Sequence, residues 1–194
     1  MKENKDELYE KKRQDCWNGA FHTFGYGYIF GLKSKSLRRI LKFNTFLGII
    51  IPVLVGGMVT TYGLNFEFLK IILIVAGPLA LVQLFLSVWI ISYNLEDKYS
   101  FFIESSTENY NISQEFEELG KYPPERLSSL NHEIEKIEIK KKNRSVSDSK
   151  YLLSDKEKRK GMRYSLRNFK RKCAGCDIIP IDMKSSNCGI CGKF

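Results

Sequence analysis

The sequence predicts a mainly α membrane protein: a two-helix transmembrane hairpin with flanking cytosolic helices and a small C-terminal zinc-ribbon-like module. Three observations carry that prediction. Two long runs hold no formal charge, Phe43 to Phe66 and Ile71 to Leu95, with Glu67 and Lys70 in the gap between them. Apolar residues recur at helical spacing on both sides of these runs. Four cysteines stand as two CxxC pairs, eleven residues apart, within the last twenty-two residues.

Residues 1–42 read as a cytosolic or interfacial N-terminal helix. From Met1 to Asp15, five acids alternate with five bases, which suits a frayed polar helix or tail. Next, Trp17, Phe21, Phe24, Tyr26, Tyr28 and Phe30 crowd together among Gly25, Gly27 and Gly31, and Trp17, Phe21, Phe24 and Tyr28 keep helical spacing. Lys33, Lys35, Arg38, Arg39 and Lys42 follow with no acid among them. Two readings fit this segment. Its rings lie at headgroup level with the cations near anionic lipid, or the stripe packs against the cytosolic helices or a neighbouring subunit.

Residues 43–95 form the hairpin, with spans at about 43–63 and 71–94. A helix needs about 20 residues to cross roughly 30 Å of hydrocarbon, and both runs exceed that. IIIPVLVGGMV and IILIVAGPLALVQLFLSVWII are apolar on all sides, whereas helices of a soluble bundle keep a polar face. The first run starts too far from Met1 for a cleavable signal peptide. Five bases crowd the entrance to the first span while the connecting loop offers Lys70 alone, so the positive-inside tendency places both termini in the cytoplasm. Within the spans, Gly48, Pro52, Gly56 and Thr60 recur every four residues, and Ala76, Ala80, Gln83, Ser87 and Asn94 form a heptad-like line of small or polar side chains. Polar groups at membrane depth face protein or water. These lines are therefore either the packing seam of the hairpin or the lining of an oligomeric pore.

Residues 96–150 read as a cytosolic helical region and linker. Helix is expected to continue from Glu96 to Gly120, with a hydrated acidic face from Glu104 to Glu118, until Pro123 and Pro124 break it. Leu127, Leu130, Ile134 and Ile137 then mark one side of a short amphipathic helix that ends in Lys140 to Lys142, and Asn143 to Ser149 reads as a polar linker.

Residues 151–194 are a basic stem and a metal-binding module. KEKRKGMRYSLRNFKRK leads straight into Cys173, and such a segment suits anionic lipid, nucleic acid, or simply a solvated cationic face. In a reducing cytoplasm cysteines serve as metal ligands rather than disulfides. Cys173, Cys176, Cys188 and Cys191 therefore point to a closed four-thiolate zinc site, with a thiol redox pair or an iron–sulfur cluster as the other chemistries that spacing admits. A tail this short buries little core, so the metal is the expected source of its folding free energy. Gly189 and Gly192 are expected at the knuckle turns, and Ile178, Ile179, Ile181 and Met183 in a short hairpin beside the metal. Cys16 has no matching partner and reads as an ordinary buried or interfacial thiol.

No enzyme constellation is expected. His22 and His132 lie in unrelated segments, and the chain has neither a Gly-rich phosphate loop nor a nucleophile elbow.

The CxxC-x11-CxxC terminus, Cys173 to Cys191, resembles that of mobile-element-associated membrane proteins, and the layout over residues 17–120 is similar to SLATT-type two-transmembrane domains. The resemblance implies a bacterial conflict-system effector whose hairpins form a homo-oligomer and breach the inner membrane once a protein or nucleic-acid trigger is sensed. The reading from another class is a membrane-anchored zinc module that binds nucleic acid or a protein partner, with the spans as a tether.

Overall fold

The computed structural model describes residues 2–63 and 67–194; Met1 and the expected inter-span connection at 64–66 lie outside the described residues. Among the described residues there are five helices: α1 (Lys2–Tyr62), α2 (Glu67–Ser92), α3 (Leu95–Lys121), α4 (Leu127–Asp148) and α5 (Asp155–Asn168). No strand occurs among the described residues. The chain divides into two compact units, Lys33–Phe101 and the pair of segments Met1–Leu32 with Phe102–Phe194.

The first unit is an antiparallel pair formed by the second half of α1 and by α2. Ser87 Oγ donates to Asn44 Oδ1 at 3.0 Å, and Gly48 lies beside Gln83, whose Nε2 would sit 3.1 Å from a Cβ at that position. The pairing of 44 with 87 and 48 with 83 fixes the direction. Two windows, one in each helix, are long and apolar enough to span a membrane, and almost none of either is buried. What burial exists follows one line per helix. On α2 it runs through Ile72, Ala76, Ala80, Gln83 and Ser87, and on α1 through Asn44, Leu47, Gly48, Ile51, Val55 and Met58.

The second unit packs the first half of α1 against α3, α4 and α5. Cys16, Ala20, Ile112, Phe116, Leu130 and Ile137 form its main core, supported by Tyr9, Leu119, Ile134 and Phe169. Small residues set how closely the helices meet. A Cβ on Gly19 would lie 3.0 Å from the Phe116 ring, and one on Gly27 would lie 3.1 Å from Tyr110 and 3.2 Å from the Ser106 carbonyl. Ser113 Oγ and Ser106 Oγ use that proximity to donate to the carbonyls of Ala20 and Gly27, each at 2.8 Å. Apolar contact and satisfied hydroxyls thus fix the same α1–α3 register.

Residues 143–148, expected as linker, continue α4. The cause is a charge cluster. Arg144, 4 % exposed, donates to Glu104 (2.8 Å), Glu108 (2.7 Å) and Asp148 (2.8 Å), while Asp148 also accepts from Ser105 (2.8 Å) and Asn109 (2.7 Å). Lys140 bonds Glu115 in the same way at 2.7 Å. The acidic side of α3 is therefore in part the partner of α4 rather than a free hydrated face.

Candidate metal centre

The cysteines are brought together by two similar turns. Within Cys173–Asp177, the amide of Asp177 donates to the Cys173 carbonyl at 2.8 Å and that of Gly175 to Cys173 Sγ at 3.4 Å. Within Cys188–Gly192, the Gly192 amide donates to the Cys188 carbonyl at 3.0 Å and the Ile190 amide to Cys188 Sγ at 3.4 Å. Each turn exits through a left-handed residue, Asp177 (φ 55°) and Lys193 (φ 55°). These sit outside the glycines singled out from the sequence. Gly189 has open space where a Cβ would be, whereas Gly192 is needed because a side chain would run into Ser186, whose carbonyl accepts from the Lys193 amide at 2.7 Å.

The four sulfurs all lie within 4.8 Å of one another. Cys173 Sγ is 3.8 Å from Cys188 Sγ, and Cys176 Sγ is 3.8 Å from Cys191 Sγ. A tetrahedral ion holding sulfur at about 2.3 Å places its ligands roughly 3.8 Å apart, so the quartet fits a closed four-thiolate site. A disulfide would need about 2.05 Å. The amides of Cys191 and Ile190 draw the Cys188 thiol down to about 6, whereas burial and the neighbouring cysteines push the Cys191 thiol up to about 12. Four sulfurs this close do not all ionise without a cation among them, and a soft dication is what such a donor set accommodates.

Helix packing, not the tail alone, supports this geometry. Cys173 and Cys191 are 1 % exposed and share a core with Phe21 of α1 and Leu166 of α5, flanked by Met162 and Phe169. Arg163 of α5, itself buried, reaches the loop between the pairs. Its Nε donates to the Asp182 carbonyl at 2.9 Å, Nη2 to Asp182 Oδ1 at 3.1 Å, and Nη1 to the Cys191 carbonyl at 3.5 Å. Arg163 was not singled out from the sequence. Ser154-x-x-Glu157 is a capping box, here formed in both directions, and it marks the start of a helix within the segment expected as a basic stem.

The aromatic stripe packs within this unit. Phe24 and Tyr28 stack on Tyr164 with centroids at 5.2 and 3.7 Å, Phe21 meets Phe169 at 5.8 Å, and the Arg171 guanidinium lies 5.2 Å from the Phe21 ring centre. Cys16 is fully buried, which pushes its thiol up to about 11 and keeps it apart from the metal chemistry. The inter-pair hairpin does not form: the segment holds no strand, and Ile178, Ile179 and Ile181 are exposed.

The membrane-seam residues divide. Gly48, Ala76, Ala80, Gln83 and Ser87 lie on the contact line of the apolar unit. Pro52, Gly56 and Thr60 lie off it on the exposed side, with nothing within 4 Å of a Cβ at Gly56. A four-residue repeat drifts around a 3.6-residue helix, so the stripe leaves the contact after one turn. Asn94 lies past the end of α2. It takes a left-handed conformation (φ 48°) in the turn from α2 to α3, where its carbonyl accepts from the Lys98 amide at 3.1 Å, a role asparagine suits.

Neither a curated protein nor a solved structure matches the chain. A family model described as "Mobilome CxxCx(11)CxxC protein" matches residues 13–194, nearly the whole chain, and the protein belongs to that family.

Proposed function

We propose that this protein is a membrane effector of a bacterial anti-phage or mobile-element conflict system, whose hairpins assemble in the inner membrane and depolarise it on activation. The observation that carries the reading is the outward surface of the apolar unit. Ile74, Phe85 and Ile91 are 73, 73 and 74 % exposed on a helix without charge from Ile71 to Ser92, a surface that water disfavours and lipid accepts. Trp89 and Tyr93, with Lys98 5.8 Å from the Tyr93 ring centre, supply the aromatic and basic pattern of a membrane–water interface. With Lys33, Lys35, Arg38, Arg39 and Lys42 before the first span, both termini are cytoplasmic.

In this reading the cysteine module holds zinc for structure, with four thiolates leaving no open position for catalysis, and the protein is not an enzyme. Several hairpins are needed to enclose water, so the active form is a homo-oligomer. The trigger, a protein or nucleic acid, acts on the basic C-terminal region.

One observation favours the second reading, a zinc module tethered to the membrane. Ser87 and Asn44 satisfy each other inside the hairpin and need no water-filled lumen. Membrane potential read with a voltage-sensitive dye during induced expression under phage challenge separates the two. The effector collapses the potential, and Gln83→Leu with Ser87→Leu, which removes the polar groups of the hairpin seam, blunts the collapse. An unchanged potential with the protein fully inserted rejects the effector and leaves the tether.

A further inference from the structure

The loop between the cysteine pairs turns its aliphatic side chains outward. Ile178, Ile179 and Ile181 are 64, 40 and 90 % exposed, and Ile190 on the second knuckle is 41 % exposed. The loop is held at both ends rather than loose: the Cys173 amide donates to the Ile178 carbonyl at 3.1 Å, Pro180 is buried, and Arg163 grips Asp182. A module that the metal and helix packing already fold gains nothing from presenting these isoleucines to water.

The segment that carries them is basic. From Lys170 to Phe194 the chain carries five bases, Lys170, Arg171, Lys172, Lys184 and Lys193, against two acids. Both acids are engaged, Asp182 by Arg163 at 3.1 Å and Asp177 by Lys172 at 3.3 Å. All four lysines are exposed.

We infer that this face of the module docks on an anionic lipid surface, with the isoleucines entering the headgroup boundary and the lysines lying among the phosphates. Exposed aliphatic side chains and exposed lysines in one short segment are what an anionic bilayer interface accepts. Nucleic acid fits less well, because single strands are held on aromatic or guanidinium faces and isoleucine has none. The inference rests on the membrane reading of the spans, which keep the module at high effective concentration near the bilayer and let a weak surface contact suffice.

The test uses the full zinc-loaded chain in nanodiscs of phosphatidylcholine, with or without phosphatidylglycerol, and brominated phosphatidylcholine as quencher. Ile181→Trp supplies a reporter on the loop, read as the difference from wild type. Trp89, exposed on the apolar unit, supplies the reference, read as the difference from Trp89→Phe. In anionic discs the emission of the loop reporter shifts to the blue and is quenched about twofold, and both changes fade in neutral discs and at high salt. Quenched Trp89 with an unquenched loop reporter overturns the docking and spares the membrane reading, whereas unquenched Trp89 overturns both. Binding of a fluorescent single-stranded oligonucleotide that Ile181→Ser weakens also overturns the inference, in favour of nucleic acid.

Discussion

Arg163 belongs to a helix yet holds a loop that lies nineteen residues further along, bonding the Asp182 carbonyl and carboxylate and facing the Cys191 carbonyl. A planar fork makes these contacts together, and an ammonium cannot. Outer partners of this kind typically govern metal affinity by about 10- to 100-fold. Arg163→Ala is therefore expected to weaken the binding of added zinc by about tenfold, measured by competition with a chromophoric chelator, and Arg163→Lys to recover only part of the loss. Wild-type affinity in Arg163→Ala would remove the arginine from the site. The same carboxylate shows how local this support is: the Lys184 amide and Arg163 hold Asp182 below its ordinary range. A depressed carboxylate stabilises the fold above its unfolded pKa, and that contribution fades as pH falls through the folded value. Acid thus weakens the loop in the same direction in which protons compete for the thiolates.

Between elements, the crossing of α1 and α5 depends on two glycines facing each other. A Cβ on Gly25 would sit 2.8 Å from Ser165 Oγ and 3.1 Å from the Gly161 carbonyl, and one on Gly161 would sit 2.9 Å from the Gly25 carbonyl. Backbone does not yield as a flexible side chain does, so bulk here forces the helices apart. Gly25→Leu is expected to destabilise the second unit by about 2 kcal/mol and to disturb the Phe24, Tyr28 and Tyr164 stack. Gly56→Ala, where a Cβ meets nothing, is the control, neutral or stabilising by about 0.5 kcal/mol. Thermal unfolding of the solubilised chain reads both. Equal melting temperatures for Gly25→Leu and Gly56→Ala would refute the crossing.

For the whole molecule, metal and helix core are coupled through Phe21, Leu166 and Phe169, with Phe169 touching both cores of the second unit. The main core of Cys16, Ala20, Ile112, Phe116, Leu130 and Ile137 contains no metal ligand. Chelation, or Cys173→Ser with Cys176→Ser, is therefore expected to melt the module and open Lys170, Arg171 and Lys172 to trypsin, while most of the helical circular dichroism survives. An unchanged digestion pattern after complete metal removal would show that packing alone holds the tail. Loss of all helicity would show the reverse dependence.

Local sequence by itself determined the helical character of the chain up to Lys142, the two apolar runs, the Leu130 and Ile137 contact face and the cysteine quartet, but not α5. Each of these is written in local spacing: charge-free length, a 3.6-residue period, and paired thiols that one ion can close. Only the tertiary structure decided which partner each face meets. The partners of the aromatic stripe, Tyr164 and Phe169, lie more than 130 positions along the chain. Asn143–Asp148 looked like linker because its polar residues gain a helical role only when Arg144 finds Glu104 and Glu108, at least 36 positions away. The isoleucines between the cysteines were expected in a short hairpin beside the metal, and they are exposed because Leu166 of α5 and Phe21 of α1, not that loop, pack on the buried cysteines. Period and composition state what a surface is made of; what it touches is fixed by contacts between residues far apart in the chain, which no local pattern encodes.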